Sequence, residues 1–301
     1  MKYLITGITG FAGPHLANTL LKDGHEVFGL VRNSNGRETD ILDIVNVTDF
    51  TNIKFLYGDL RNTRIIADIF KENTFDGVFH LAAQSHPPTS FVDPIGTWED
   101  NVMGSMNLIQ AIQDHQPDCK LMFCSTSEVY GNVGEDGRKI KTTENKKING
   151  FITRAFSHTG PRRGRTFSIS SDAYQLAKMM RYPDESRELK VGNLESTRVV
   201  VDVRDIVEAY YKLMSTEKSD GKIYNVCGDT PRKMGAYTDL LIESSGLEGV
   251  EKKIFAPYYR PIDIHYQHGD CFSLVYDTDW KQKINIETTM QDLIDYWYNK
   301  L

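Results

Sequence analysis

The chain has 301 residues, 40% hydrophobic and 25% charged, with a net charge of −6 and no block of lysine or arginine. That length is enough for one large α/β unit or a nucleotide-binding domain with a smaller appendage, and the charge argues against nucleic acid or an anionic membrane as partner while leaving room for a local phosphate pocket. No apolar run approaches the roughly 20 residues of a membrane span, and one lysine precedes a strand where a signal peptide would begin, so a cytoplasmic protein is expected. Cys119, Cys124, Cys227 and Cys271 form no CxxC pair and read as reduced, mostly structural thiols.

The first predicted element is a short strand, Tyr3, Leu4 and Ile5, apolar enough to be buried on both faces. It breaks into Gly7, Gly10 and Gly13, whose missing Cβ atoms let a phosphate approach the backbone. Thr9 and Phe11 lie inside the turn, Pro14 sits where a first helical turn tolerates proline, and Leu16, Leu20 and Leu21 follow at helical spacing. The helix stops near Gly24, and Val27 to Val31 form a second strand. A βαβ unit opening on a glycine turn is where a dinucleotide-binding fold puts its pyrophosphate site.

The second strand ends in Arg32 with no acid to meet a free ribose 2′-OH. This favours NADP over NAD, with Arg32 as the 2′-phosphate partner. A third strand ends in Asp59 and Leu60, Asp59 being placed to receive the adenine amine, and a helix is predicted over 62–72. The fourth strand, Gly77 to His80, runs into Leu81, Ala82 and Ala83, small enough for backbone to pass close to a dinucleotide, and then into Ser85 and His86 on the substrate side. Residues 94–115 read as one long helix with Ile95, Trp98, Val102, Met106, Ile109 and Ile112 as its apolar positions and Asn101 among them. The fifth strand, Lys120 to Cys124, leads to Thr126 and Glu128. Period-two alternation would point this hydroxyl and carboxylate the same way, at the strand end where open α/β sheets bind ligands.

The glycine turn, Leu81 to Ser85, Ser125 to Gly131, His158 to Gly164, Gly192 to Ser196 and Tyr259 to Pro261 occur in that order. As a set they resemble the extended short-chain dehydrogenase/reductases acting on nucleotide sugars, most closely the GDP-mannose 4,6-dehydratase branch. The stretch Arg260 to Ile264, with Trp280 and Trp297, is also similar to 4-keto-6-deoxy sugar reductases and epimerases. The resemblance implies a Rossmann-type doubly wound parallel sheet with a smaller C-terminal α/β substrate lobe: 1–156 for NADP, with parts of 190–227 returning to it, and 157–301 mainly for substrate. It implies a lyase with Thr126 and Glu128 catalytic and NADP recycled, and Ser85, His86, Ser157, Arg198 and Arg260 toward a nucleotide sugar, a GDP-hexose being favoured. It also implies a homodimer or homotetramer. A 4-keto-6-deoxy sugar reductase or epimerase, and a non-catalytic binding paralogue, stay open as alternatives.

Three departures stand out. Ser157 replaces the family's usual asparagine, and Val199 stands where an acid follows the arginine aligned with Arg198. More seriously, the Tyr-x-x-x-Lys helix that carries proton transfer in the family is missing after Glu128: residues 129–150 hold no helical apolar period, although neighbouring parallel strands need a crossover. The apolar strand Phe151 to Phe156 would then keep one bare face. Either a segment near Asn145 and Lys146 belongs to the protein and not to this sequence, or the chain is shortened; the uncovered face favours the former. Tyr174 and Lys178 have the right spacing but read as core and surface of a later helix. Helices are expected over 206–215 and 235–245. His265 and His268 lack a third ligand and read as loop residues, not a metal site.

Overall fold

The computed structural model describes residues 1–32, 36–130, 149–182, 184, 186–259 and 264–301. Arg260, and the stretch without a predicted crossover helix from residue 131 to 148, lie outside the described residues.

Seven strands form the main sheet: β1 (Lys2–Thr6), β2 (Glu26–Val31), β3 (Lys54–Tyr57), β4 (Gly77–His80), β5 (Lys120–Thr126), β6 (Gly150–Ala155) and β7 (Ile223–Val226), in the order β7-β6-β5-β4-β1-β2-β3. Pairing is parallel from β3 to β5, in the registers Leu30↔Leu56, Leu4↔Phe28, Leu4↔Val78 and Val78↔Leu121. Bonds from Ile152 to Lys222 and from Phe156 to Val226 advance together along β6 and β7, which makes that pair parallel too. Reversal of strand order on either side of β1 and β4 is the doubly wound pattern, and ligands of such sheets bind at the carboxyl ends of the strands beside it.

Two compact units share the chain. One holds Met1–Ser125, the start of β6 and Val207–Tyr224. Its helices include α1 (Ala12–Lys22), α2 (Thr63–Glu72) and α3 (Gly104–His115). The Asn62 side chain caps α2 by accepting the Ile65 N–H at 3.2 Å, and Ile66, Phe70, Leu108 and Ile112 pack with Leu4, Val78 and Leu121. The long helix of 94–115 is interrupted: Pro94–Trp98 is α, Glu99–Met103 is one π turn, and α3 follows. Its apolar positions also divide. Leu108, Ala111 and Ile112 are buried, whereas Ile95 and Trp98 are 72% and 61% exposed. Beside the start of β6, Ile109, Ile112, Cys119, Leu121 and Asn149 line a cavity of about 360 Å³. Strand β6 itself alternates, with Phe151, Thr153 and Ala155 buried and Ile152 and Arg154 partly exposed, so it does not present the continuous apolar run read from its sequence.

The other unit holds Arg154–Ile206, Asn225–Leu301 and the turn after β5. Its core joins α4 (Ser168–Arg181) to α6 (Met234–Ser245) and α7 (Ile286–Lys300) through Leu176, Tyr237, Leu241, Met290 and Leu293; α5 (Val203–Met214) precedes β7. Tyr174 packs edge-on against Trp297 at 5.3 Å, as a core-facing residue of α4 should. A three-stranded sheet centres on Thr197–Val199, with Pro231–Lys233 antiparallel and Tyr266–Gln267 parallel to it. Asp205 ties α5 to the C-terminal segment: its carboxylate accepts the Lys283 and Ile284 N–H groups, and its carbonyl accepts Trp280 Nε1–H at 2.9 Å.

Candidate functional site

The glycines after β1 are required by contact, not by flexibility alone. Gly7 has φ +75°, and a Cβ there would lie 2.9 Å from the Ala82 nitrogen; a Cβ on Gly13 would lie 2.5 Å from the Gly7 carbonyl oxygen. The Gly10 N–H closes the turn on the Gly7 carbonyl at 2.9 Å. A side chain at Gly7 would push against the Leu81–Ala82 backbone, and one at Gly13 against the Gly7–Ile8 backbone, so these two glycines let the turn, the start of α1 and the segment after β4 pack closely. Phe11 occupies the N-cap position of α1, two residues beyond Thr9, with its ring edge-on to His15. Across the turn, Thr6 holds the next chain segment: its carbonyl accepts Leu81 N–H at 3.2 Å and its Oγ1 accepts Ala82 N–H at 3.2 Å. The structure thus places Leu81, Ala82 and the glycine turn side by side, and Ala83 follows at once.

A charged group stands after β2 and β3. Arg32, with a side chain 59% exposed, lies 3.8 Å from Asp59 and 3.2 Å from Asp100. Asp59, read from sequence as an adenine acceptor, already accepts Arg61 through Nε and, at 2.7 Å, Nη2. That bond is the main reason its carboxyl is held below the usual carboxylate range. Arg61, which the sequence reading missed, therefore stands beside Arg32 as a second cation. The Leu60 carbonyl accepts Asn107 Nδ2–H at 2.9 Å.

The loop carrying Ser85 and His86 is held from the π turn. Asn101 Oδ1 accepts the Gln84 N–H at 2.7 Å while Asn101 Nδ2 donates to the Gln84 carbonyl at 3.0 Å. The Gln84 side chain in turn accepts the His86 N–H at 2.6 Å. His86 Nδ1 meets Thr89 Oγ1 at 3.1 Å in the cap of the helix Pro87–Val92.

On the other unit, the Thr126–Glu128 pair is joined differently from the expectation. β5 ends at Thr126 and Ser127–Tyr130 is a 3₁₀ turn, so strand alternation does not extend to Glu128. The Thr126 hydroxyl meets the Glu128 backbone: its Oγ1 accepts the Glu128 N–H at 3.2 Å. Buried Gln267 donates from Nε2 to Ser127 Oγ at 3.1 Å and to Glu128 Oε1 at 3.5 Å. Tyr130 closes the turn by donating to Asn225 Oδ1 at 2.9 Å under the Arg154 guanidinium. Ser157 accepts Val201 N–H through its carbonyl, which leaves its side chain out of that ladder. Arg198 is buried and donates to the Thr197 carbonyl, and its own carbonyl accepts the Tyr237 hydroxyl at 3.0 Å. Val199, where the family has an acid, is buried. Among the described residues no group of three or more His, Cys, Asp or Glu side chains is placed to hold a metal ion.

A doubly wound sheet with a Cβ-free turn after β1 and a hydroxyl–carboxylate turn after β5 defines a protein of the short-chain dehydrogenase/reductase type. The model of the GDP-mannose 4,6 dehydratase family matches residues 4–150 and 139–293, and the chain belongs to that family. The two matches overlap over 139–150, inside the stretch after Glu128 where the sequence holds no Tyr-x-x-x-Lys. Two relatives are GDP-6-deoxy-D-mannose reductase of Pseudomonas aeruginosa, 26% identical over 100% of this chain and 98% of its own, and human GDP-mannose 4,6 dehydratase, 25% identical over 97% and 90%. A solved structure described as RMD from Pseudomonas aeruginosa complexed with NADPH shares the fold, with a TM-score of 0.81, 24% identity and coverage of 100% and 99%.

Proposed function

We propose that the chain is a nucleotide-sugar 4,6-dehydratase that takes a GDP-hexose and binds NADP, with the cofactor on residues 1–156 and the parts of 190–227 that return to them, and the sugar mainly on 157–301. The observation that carries this is the Thr126–Glu128 turn clamped by Gln267. Gly7, Thr9, Gly10, Phe11, Gly13, Leu60, Leu81, Ala82 and Ala83 would hold the dinucleotide, with Arg32 at a 2′-phosphate and Asp59 near the adenine. A bound nicotinamide supplies hydride abstraction at C4 of the hexose and its return at C6.

Two of the chain's own groups act on the sugar. Thr126 Oγ1 spends a lone pair on the Glu128 N–H and keeps its own proton to donate to the C4 oxygen, a bond that strengthens as charge develops there. Glu128 removes the C5 proton and passes it to the departing C6 hydroxyl, which leaves as water; the C4 hydroxyl proton released with the hydride goes to solvent water, and water returns a proton to C5 as the hydride adds at C6, giving a 4-keto-6-deoxy sugar. Ser85, His86, Ser157, Arg198 and Arg260 are assigned to the substrate. Incubation with GDP-mannose tests the reading: a 4-keto product released with no net change in NADPH absorbance supports it. The reductase reading is favoured by the full-length match to the Pseudomonas reductase, and it predicts stoichiometric NADPH consumption with a 4-keto-6-deoxy substrate and no product from GDP-mannose.

A homodimer or homotetramer fits the same reading. Phe91, Val92, Ile95, Trp98, Met103 and Met106 expose an apolar stripe along the segments before and into α3.

A further inference from the structure

His80, the last residue of β4, is 3% exposed and is bonded at both ring nitrogens: Nδ1 lies 2.7 Å from Thr6 Oγ1 and Nε2 lies 2.8 Å from Ser105 Oγ. The direction of every bond follows from counting protons. Ser105 Oγ donates to the Asn101 carbonyl at 2.6 Å. A hydroxyl has one proton, so toward His80 this oxygen only accepts, and Nε2 must carry the hydrogen. Nδ1 is then a bare lone pair in the neutral ring, and Thr6 must donate to it. With its proton so engaged, Thr6 Oγ1 offers a lone pair to the Ala82 N–H.

The chain of bonds therefore runs one way from Ala82 through Thr6 to one edge of the imidazole, and from the other edge through Ser105 to Asn101. Asn101 continues it by clamping both backbone groups of Gln84, next to Ser85 and His86. Ser105 reaches the Asn101 carbonyl at the junction of the π turn with α3, where the helical ladder shifts register. By taking the Ser105 proton, the Asn101 carbonyl leaves the serine oxygen free to act as the imidazole's acceptor.

We propose that His80 is a positioning residue: a neutral imidazole with its proton on Nε2 that couples the backbone wall of the glycine turn to the loop bearing Ser85 and His86. The proposal rests on reading those two segments as cofactor and substrate walls. Burial supports it by pushing the His80 pKa down to about 4, so the chain of bonds does not titrate near neutrality. The ring faces Phe123, with centroids 5.5 Å apart, and no charged group contributes to its shift.

The imidazole's two edges can be replaced separately. His80→Asn keeps an acceptor near the Nδ1 position for Thr6 and loses Ser105; His80→Gln keeps an amide donor near the Nε2 position for Ser105 and loses Thr6. Losing one neutral hydrogen bond in a buried site corresponds to about five- to tenfold in affinity. The expected result is a split. With His80→Asn, NADPH affinity stays within about twofold while GDP-mannose binding weakens about five- to tenfold, and His80→Gln does the reverse. A merely packed histidine would move both affinities together, and that result overturns the proposal.

A second measurement needs no variant. In the wild-type protein labelled with ¹⁵N-histidine, the imidazole showing an NOE to the Phe123 ring should give the Nε2–H pattern from pH 8 to pH 5 in a long-range ¹H–¹⁵N spectrum. An Nδ1–H or doubly protonated ring in that range overturns it. Wild-type protein that shows the Nε2–H ring yet binds no NADPH also defeats the positioning role, and assigns the failure to the cofactor reading and not to the bonding.

Discussion

Glu128 is steadied by a side chain 139 positions away, Gln267, which also bonds the Ser127 hydroxyl. A carboxylate that removes a carbon-bound proton works through its placement, and loss of a positioned base typically costs on the order of 10²–10⁴ in rate. Glu128→Gln should lower turnover of GDP-mannose by that range with the nucleotide-sugar dissociation constant little changed. Gln267→Leu, which removes both donors, should lower it by about tenfold at unchanged NADPH affinity. Equal turnover in Gln267→Leu would remove Gln267 from the machinery. Arg32→Ala should weaken NADPH binding by about tenfold and leave NADH within about twofold, since a charge-assisted bond to a 2′-phosphate is worth about 1.5–3 kcal/mol; parallel losses for both cofactors would return the site to an NAD reading. The glycine turn was legible because close backbone contact admits one residue type at fixed spacing. Gln267 and Arg61 were not, because nothing local to a glutamine or an arginine marks the carboxylate it will meet. Nor was the end of β5: alternation runs the strand through Glu128, whereas a 3₁₀ turn begins at Ser127 and sets the Glu128 N–H on the Thr126 hydroxyl.

At the scale of elements, the doubly wound parallel sheet was legible through the family resemblance, and α2 near 62–72 and the helices near 206–215 and 235–245 through the sequence pattern. The long helix was readable as a helix but not in its use. Its apolar positions satisfy one period throughout, yet Ile112 near the C-terminal end is buried while Ile95, Trp98 and, past the π turn, Met106 are exposed. Helical spacing reports a face and says nothing about whether that face meets this chain or another. The exposed stripe from Phe91 to Met106 includes Trp98, an aromatic of the kind that anchors interfaces. Trp98→Glu should convert the wild-type assembly to monomer in sedimentation velocity at micromolar concentration without lowering the melting temperature of the monomeric fold by more than a few degrees. A monomeric wild type would refute the assembly outright.

For the molecule as a whole, two buried ionisable groups pull its pH dependence in opposite directions. Burial lowers His80 from 6.5 to about 4 and raises Asp172 from 3.8 to about 7, the latter against the bond that Thr238 Oγ1 donates to it at 2.8 Å. For His80 the unfolded chain binds the extra proton between those values. Its contribution is therefore complete above pH 6.5 and falls as pH drops toward 4, by on the order of 3 kcal/mol. For Asp172 the folded chain holds the extra proton. Stability is complete below pH 3.8 and falls as pH rises toward 7, by on the order of 4 kcal/mol. Between pH 4 and 6.5 the two slopes nearly cancel, so a flat profile for the wild type would hide both. Asp172→Asn keeps an acceptor for Thr238 and removes the ionisation. Its stability relative to wild type in urea titrations should be near zero at pH 4 and grow to a few kcal/mol in its favour by pH 8. Its own stability should then fall on acidification below pH 6.5, with the His80 slope unopposed. Should the two compact units melt separately, the Asp172 effect belongs to the transition of the unit containing α4, and the His80 effect to that of the unit containing β4. A pH-independent difference between the two proteins would show that Asp172 does not hold its proton in the folded state.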